Sequence, residues 1–269
     1  MHRCKWLLVV LSCLILVSCA KSPTGRNTIK LFSTEQLNEM GEQAFTSLKE
    51  QSSVSTKAVQ NDYVQCVAEN IIAQVPKKTF PGEWEIVVFD DEQINAFALP
   101  GGKIGVYTGL LKVAENQHQL AAVIGHEVAH VIAEHGNERM SSSTIVGLGM
   151  EVTNQVLGAN KVSHNKDIMA AIGLGVQVGF QLPFSRTHES EADIIGLDLM
   201  AKAGFDPKQS VNLWQNMDKA SSGERPLEFI STHPAPDTRI KQLQKNMSNA
   251  TVLYRTAPVK PKCESNGRK

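Results

Sequence analysis

The residues that could do chemistry together lie in one run, Ala121–His135, AAVIGHEVAHVIAEH. His126 and His130 are four apart. On a helix that spacing means about 400° of turn and about 6 Å of rise, so both project from one face. Two imidazoles so placed can share one metal ion. Glu127, the next residue along, can reach a water beside that ion but cannot easily bind the ion as well. This HExxH spacing is the one with which helices bind zinc and supply a general base for hydrolysis. A buried helix with two hydrogen-bonded histidines would carry the same letters, so the motif asks the rest of the chain for a third ligand.

A helix must position these side chains, and its other residues support one. Val123, Ile124, Val128, Val131 and Ile132 are apolar, no proline interrupts them, and Asn116 stands where a cap belongs. A helix apolar on most sides is a buried one, so the histidines and glutamate in it need a reason. His118, near its start, reads as part of a solvated face. His135 does not complete the HExxHxxGxxH pattern: position 133 is alanine and the residue six after His130 is Gly136. It reads as a helix-end residue, favourable near the negative end of the dipole.

Ahead of this helix, Ser33-Thr34-Glu35-Gln36 has capping-box spacing and opens a helix to about Leu48; a second runs from about Thr56 to Gln74 and stops before Pro76. Glu83–Phe89 is β-branched and aromatic. Ile94–Leu99 and Lys103–Thr108 flank Pro100-Gly101-Gly102. These stretches predict a small, mostly antiparallel sheet of about three strands. The segment around Asn95, Ala96 and Phe97 is its candidate edge, to which an extended peptide can add as a further strand. Beyond the HExxH helix, residues 141–184 read as a partly helical hairpin over the cleft, with an apolar run too short to span a bilayer. A further helix runs from Ser185 to about Ala203, with Gly204 past its end and Asp206-Pro207 opening the next. On it Glu189 and Asp193 are four apart and share a face. The dipole alone accounts for acids at a helix start; on an apolar-periodic face, with HExxH elsewhere, they make a candidate site.

A chain of 269 residues can bury one substantial core. Its 27 basic and 27 acidic residues cancel, which leaves no attraction toward nucleic acid. The first eighteen residues read as a targeting segment rather than fold, with Arg3 and Lys5 before the apolar run Trp6–Val17. Leu16-Val17-Ser18-Cys19 resembles a bacterial lipobox. That resemblance implies removal of residues 1–18, lipidation of Cys19 and a lipidated tether over 19–30. Several acyl chains on one residue would anchor it stably to a membrane. Ala20 where some lipoproteins carry aspartate resembles sorting to the outer membrane. The mature chain then carries 25 basic against 27 acidic residues. Cys66 and Cys263 would face an oxidising compartment, and the sequence leaves open whether they pair. Residues 251–269 read as a flexible basic tail.

Taken in order, HExxH, then SRxxExEAD at Ser185–Asp193, then HPxxxxR from His233 to Arg239, resemble metallopeptidase family 48, over roughly residues 90–243 and including NAFALPGG. The family holds the CAAX prenyl proteases, HtpX-like and OMA-type proteases; the likeness is nearest to compact periplasmic lipoproteins of the BepA and LoiP type. The resemblance implies an α+β, mainly helical zincin (gluzincin) fold over residues 31–250. It implies one Zn2+ per chain held by His126, His130 and Glu189, with Glu127 as general base. Asp193 would orient a ligand histidine, and Arg239 would anchor its loop or pair with an acid near the site. His233 would either stabilise the oxyanion or cover the metal as a reversible fourth ligand. Glu191 points elsewhere on its helix and stays outside the ligand set. The implied function is a zinc metalloendopeptidase of the bacterial envelope, at the outer membrane facing the periplasm. Its substrates would be misfolded or unassembled envelope proteins, with the envelope assembly machinery as a partner. The alternative is an envelope chaperone or assembly factor whose latent zinc site is gated by His233.

Overall fold

The computed structural model describes residues 19–159, 185–221, 228–233 and 236–263. The targeting segment 1–18, and the part of the expected hairpin over 160–184, lie outside the described residues. In chain order the elements are β1 (Cys19–Lys21), β2 (Asn27–Ile29), α1 (Thr34–Gln51), α2 (Ala58–Ile72), β3 (Glu85–Phe89), β4 (Ala96–Leu99), β5 (Lys103–Tyr107), α3 (Leu110–Val113), α4 (Gln117–Ile132), α5 (His135–Ala159), α6 (Arg186–Lys202), α7 (Gln209–Ser221), α8 (Glu228–Thr232) and α9 (Pro236–Thr256). The chain is thus α+β and mainly helical. It divides into two units, one made of Met1–Ser33 and Gly136–Gln181, the other of Thr34–His135 and Leu182–Lys269.

The larger unit is built around α4, in which every residue from Gln119 to His130 is buried. Helices α2, α6 and α7 and strand β4 all pack on it. Apolar spacing explains the choice: Leu120, Ile124 and Val128 recur every fourth residue and meet Met200, Phe205, Leu213 and Met217 in one core. The start of α4 is fixed by Asn116, whose Oδ1 accepts from the backbone of His118 and Gln119 at 3.0 and 3.1 Å.

The sheet has three strands in the order β3-β5-β4. Strands β4 and β5 form the expected antiparallel hairpin, with Phe97 opposite Gly105. Its turn needs glycine, since Gly101 and Gly102 have φ of +82° and +69°. Strand β3 joins the far side of β5 in parallel, a pairing that adjacent sequence does not announce. The outer edge of β3 is partly covered: Val54 bridges to Phe89, and the Ser55 backbone donates to Val88 at 2.8 Å. Among the described residues the outer edge of β4 has no strand partner.

The C-terminal part of this unit corrects an expectation. Residues from 251 onward were expected to be flexible, yet α9 continues to Thr256 and a disulfide joins Cys263 to Cys66 on α2. Gln117, at the start of α4, holds the same strap from both sides. Its Nε2 donates to the Pro261 carbonyl at 2.9 Å, and its Oε1 accepts from the Cys263 backbone at 2.7 Å. Residues 257–263 are held here by a covalent bond, two backbone contacts with Gln117 and the burial of Pro261 and Cys263.

In the smaller unit the expected tether is a hairpin, with Cys19 opposite Ile29 and Lys21 opposite Asn27. The Arg26 guanidinium meets the Glu138 carboxylate through two bonds of 3.0 Å. Asn137 accepts from the Phe32 backbone and donates back to it, and Ser141 accepts from Leu31. Side chains from the first turns of α5 therefore satisfy backbone groups that a solvated tether would leave to water. Among the described residues no helix is long and apolar enough to cross a membrane.

The disulfide closes a loop of 197 residues. Losing it is expected to cost about 2–5 kcal/mol. Cys263→Ser should therefore lower the thermal midpoint by roughly 5–15 °C, read by calorimetry under non-reducing conditions; an unchanged midpoint would mean that the bond adds no stability.

Candidate metal centre

Helix α4 places His126 and His130 one turn apart, both buried, with their Nε2 atoms 3.1 Å from each other. Glu189 comes from the first turn of α6, which Ser185 caps by accepting from the His188 backbone at 3.2 Å. Its carboxylate lies across both rings, Oε2 3.4 Å from His126 Nε2 and Oε1 3.5 Å from His130 Nε2. His233 follows α8 directly. Its Nδ1 is 3.0 Å from Glu189 Oε1 and 3.4 Å from His126 Nε2, and its ring stacks on Phe229 at 4.6 Å. One donor atom from each of these four residues lies within 4.8 Å of the other three.

What sets the distance between the two helices is a pair of glycines. A Cβ on Gly196 of α6 would stand 2.8 Å from the His126 nitrogen, and one on Gly125 of α4 would stand 3.0 Å from the Gly196 carbonyl oxygen. Backbone thus meets backbone one residue before His126 and seven residues, two turns, after Glu189. No side chain of ordinary size fits the crossing.

The donor set fits a metal. Zinc takes imidazole nitrogen and carboxylate oxygen at about 2.0–2.2 Å in a tetrahedron, which separates donors by about 3.4 Å. The separations given above, between 3.0 and 3.5 Å, are of that size, with Glu189 turning Oε2 to His126 and Oε1 to His130 and His233. Glu189 Oε2 and Glu127 Oε1 are also buried without a hydrogen-bond donor. Arg239 Nη1 stands 2.8 Å from Glu189 Oε2, close enough for an ion pair but out of line for a hydrogen bond. His126, His130, Glu189 and His233 thus form a site for one metal ion, with donors that suit Zn2+.

The electrostatics point the same way. Burial and the Arg239 charge pull the His126 imidazole down, yet contacts with Asp193 and Glu189 outweigh them and push it up to about 9. Burial would raise the Glu189 carboxyl, but bonds from His126 and His233 hold it well below the usual carboxylate range. Burial also lowers His130, reinforced by the positive charge of His126. Glu127 is raised chiefly by burial, with the His233 and His126 charges opposing. Carboxylates gathered so tightly that one imidazole keeps its proton are equally suited to a divalent cation in that proton's place.

The outer residues expected at the site are there. Arg239 forks onto Asp193, Nε to Oδ2 at 2.9 Å and Nη2 to Oδ1 at 2.6 Å, and lies 3.7 Å over the Trp214 ring. Asp193 Oδ1 is 3.2 Å from His126 Nδ1, where it can accept that ring's proton when Nε2 turns to a metal. Burial opposes the charge on Asp193, and Arg239 overcomes it to keep the carboxyl low.

The expected peptide edge is changed in detail. The Tyr107 backbone donates to the Asn95 carbonyl at 3.1 Å, so Asn95 and, by antiparallel alternation, Phe97 and Leu99 turn their polar backbone groups toward β5. Of the three residues Asn95, Ala96 and Phe97, only Ala96 presents its backbone outward, and Ala98 joins it. Phe97 instead covers Gly105 and packs against Phe45, Phe89 and Tyr107. His135 and Glu191, outside the expected ligand set, are both buried, and His135 stands between His130 and Glu191. His118 is also partly enclosed, its Nδ1 accepting from the Asp206 backbone at 3.1 Å.

The family model "Peptidase family M48" matches residues 58–247, which hold the four donors, Glu127, Asp193 and Arg239. The chain belongs to peptidase family M48. It is similar to the mitochondrial metalloendopeptidase OMA1 of Schizosaccharomyces pombe, at 36% identity over 198 residues, covering 72% of this chain and 55% of the relative. It is similar to the human mitochondrial metalloendopeptidase OMA1 at 30% over 245 residues, covering 86% and 46%. The beta-barrel assembly-enhancing protease of Escherichia coli (strain K12) matches at 26% over 225 residues, covering 80% and 45%. The chain thus spans about half the length of these curated M48 relatives.

The glycine crossing yields a test of M48 geometry in this chain. Gly196→Ala should push α6 from α4 and weaken zinc binding by about tenfold or more, as displaced ligand supports do, read by chelator competition. Unchanged affinity would show that the crossing tolerates a methyl group.

Proposed function

We propose that this chain is a zinc metalloendopeptidase, and that His126, His130 and Glu189 hold its one Zn2+. The observation that carries this reading is the four-donor cluster with Glu127 buried beside it. Bound there, zinc supplies Lewis acidity to water and to a scissile carbonyl. Glu127, ionised, accepts the proton of the attacking water and hands it to the leaving amine, so that no proton is gained or lost over the cycle. Ala96 and Ala98 offer outward backbone groups with which an extended substrate can pair. Asp193 and Arg239 keep the His126 ring turned for binding.

His233 gates this site. Its Nδ1 stands among the donors and its Nε2 lies 3.4 Å from Glu127 Oε1, so the one ring would serve as a fourth donor to a metal held there while standing beside the base. A catalytic zinc needs that position open. The second reading, a chaperone or assembly factor whose site stays latent, rests on the same contact.

The substrates we propose are misfolded or unassembled envelope proteins. The name of the beta-barrel assembly-enhancing relative supports this, and so does the lipobox-like run before Cys19, which suggests lipid anchoring at the outer membrane facing the periplasm. The envelope assembly machinery is the corresponding partner.

Zinc-loaded protein given unfolded casein separates the readings. Glu127→Gln should keep its zinc and lose about 10²- to 10⁴-fold in rate; undiminished cleavage would remove Glu127 from the mechanism. Glu189→Ala should lose zinc, and full metal content would refute the ligand assignment. His233→Ala should cleave faster than wild type if the ring is a gate, whereas a slower variant would make it an oxyanion donor. Cleavage by neither wild type nor His233→Ala would favour the chaperone. In cells, Cys19→Ser should move the chain from the membrane to the soluble fraction, and continued sedimentation with membranes would refute anchoring through that residue.

A further inference from the structure

His130 meets the donor cluster through Nε2 and turns Nδ1 away from it. What faces Nδ1 is a second imidazole, with His135 Nδ1 at 2.9 Å. On its other side His135 Nε2 lies 3.1 Å from Glu191 Oε2. All three side chains are buried, His135 completely.

Proton counting leaves one consistent arrangement. His130 can offer a lone pair at Nε2 only if its proton sits on Nδ1. That N–H points at His135 Nδ1, which must accept and therefore carries no proton. The proton of a neutral His135 is then on Nε2, where the Glu191 carboxylate accepts it. We propose that Glu191 and His135 form a positioning relay that holds His130 in the ring orientation and tautomer a metal ligand needs. The relay rests on the reading of His130 as a zinc ligand.

Three further observations support it. Glu134, between α4 and α5, has φ +55°, a left-handed conformation that a residue with a Cβ seldom adopts. That bend is what returns His135 to the side of His130 instead of continuing the helix. His188, from the first turn of α6, stacks on His135 with centroids 4.4 Å apart and planes 28° apart, which holds the second ring flat. The arrangement also has a counterpart: Asp193 stands at the outer nitrogen of His126 as the relay stands at that of His130. Helix α6 thus supplies both supports, Asp193 directly and Glu191, two residues before it, through an interposed imidazole.

Side-chain ¹⁵N–¹H spectra of the zinc-loaded full chain test the tautomers without any substitution. His130 should carry its proton on Nδ1 and His135 on Nε2; a His135 protonated at Nδ1 overturns the relay. Chelator competition on the full chain gives a second readout. His135→Leu should weaken zinc binding about 10- to 100-fold. His135→Asn, whose Oδ1 can stand near the lost Nδ1 and accept from His130, should recover most of that loss. Wild-type affinity in His135→Leu, or equal losses in the two variants, overturns the proposal. If His135→Leu does not fold, the wild-type spectra decide. A wild type that binds no zinc would sink the ligand assignment itself, so the two failures are distinguishable.

Discussion

Four carboxylates buried in the middle of a helical core are the constraint that the rest of this structure answers. Glu127, Glu189, Glu191 and Asp193 are all nearly inaccessible to water. Withdrawing one such ion from solvent costs on the order of several kcal/mol unless charge and hydrogen bonds replace the water. Each acid therefore has its own cationic or proton-donating neighbour. Asp193 has the Arg239 fork, and Glu191 has His135. Glu189 stands in the first turn of α6, where the helix dipole adds positive potential, between His126, His233 and Arg239. Glu127 and Glu189 each keep one buried oxygen outside any hydrogen bond. For Glu127, burial outweighs the neighbouring imidazoles and raises the carboxyl, which suits the general base it is proposed to be.

The backbone makes this concentration of charge tolerable by being placed first. The cap at Asn116 and the strap held by Gln117 fix where α4 begins, and the glycine crossing fixes how closely α6 approaches it. Once those are set, the residues one position from Gly125 and seven from Gly196 have little freedom. The donors are thereby placed by the packing of the two helices, with the His126, His130, Glu189 and His233 ligand atoms all within 4.8 Å of one another.

How much of this was legible in sequence depended on how local the signal was. The HExxH pair, its helix and its cap are written within one short run, and the α+β sheet elements carry their own alternation and turn residues. Glu189 shares no local pattern with His126, and only the order of three motifs tied the two together. His135 was misread because the expectation assumed a helix simply ending. Glu134 instead bends the chain in a conformation that side-chain type does not advertise, and so a residue five positions past His130 comes to stand beside it. Glu191 was set aside for a related reason. Its place opposite Glu189 on α6 looked like a turn away from the site, although the site has two sides. The hairpin at residues 19–30 and the ordered strap before Cys263 share a different cause: both are held by partners more than a hundred residues away, which polar composition cannot show.

The four donors differ in what it would take to move them. His126 and His130 lie in the middle of a helix buried from Gln119 to His130, and Glu189 is held in α6 against it. His233 is carried by α8, five residues long and fastened by the buried Phe229. A helix that short has almost no stability apart from its packing, and among its described side chains the buried one is Phe229. Withdrawing His233 therefore disturbs one turn, whereas withdrawing any other donor would require the core to open. The same ring also touches Glu127 through its second nitrogen. On the proposed reading a single displacement vacates a metal position and uncovers the base together, so the closed site cannot be half active.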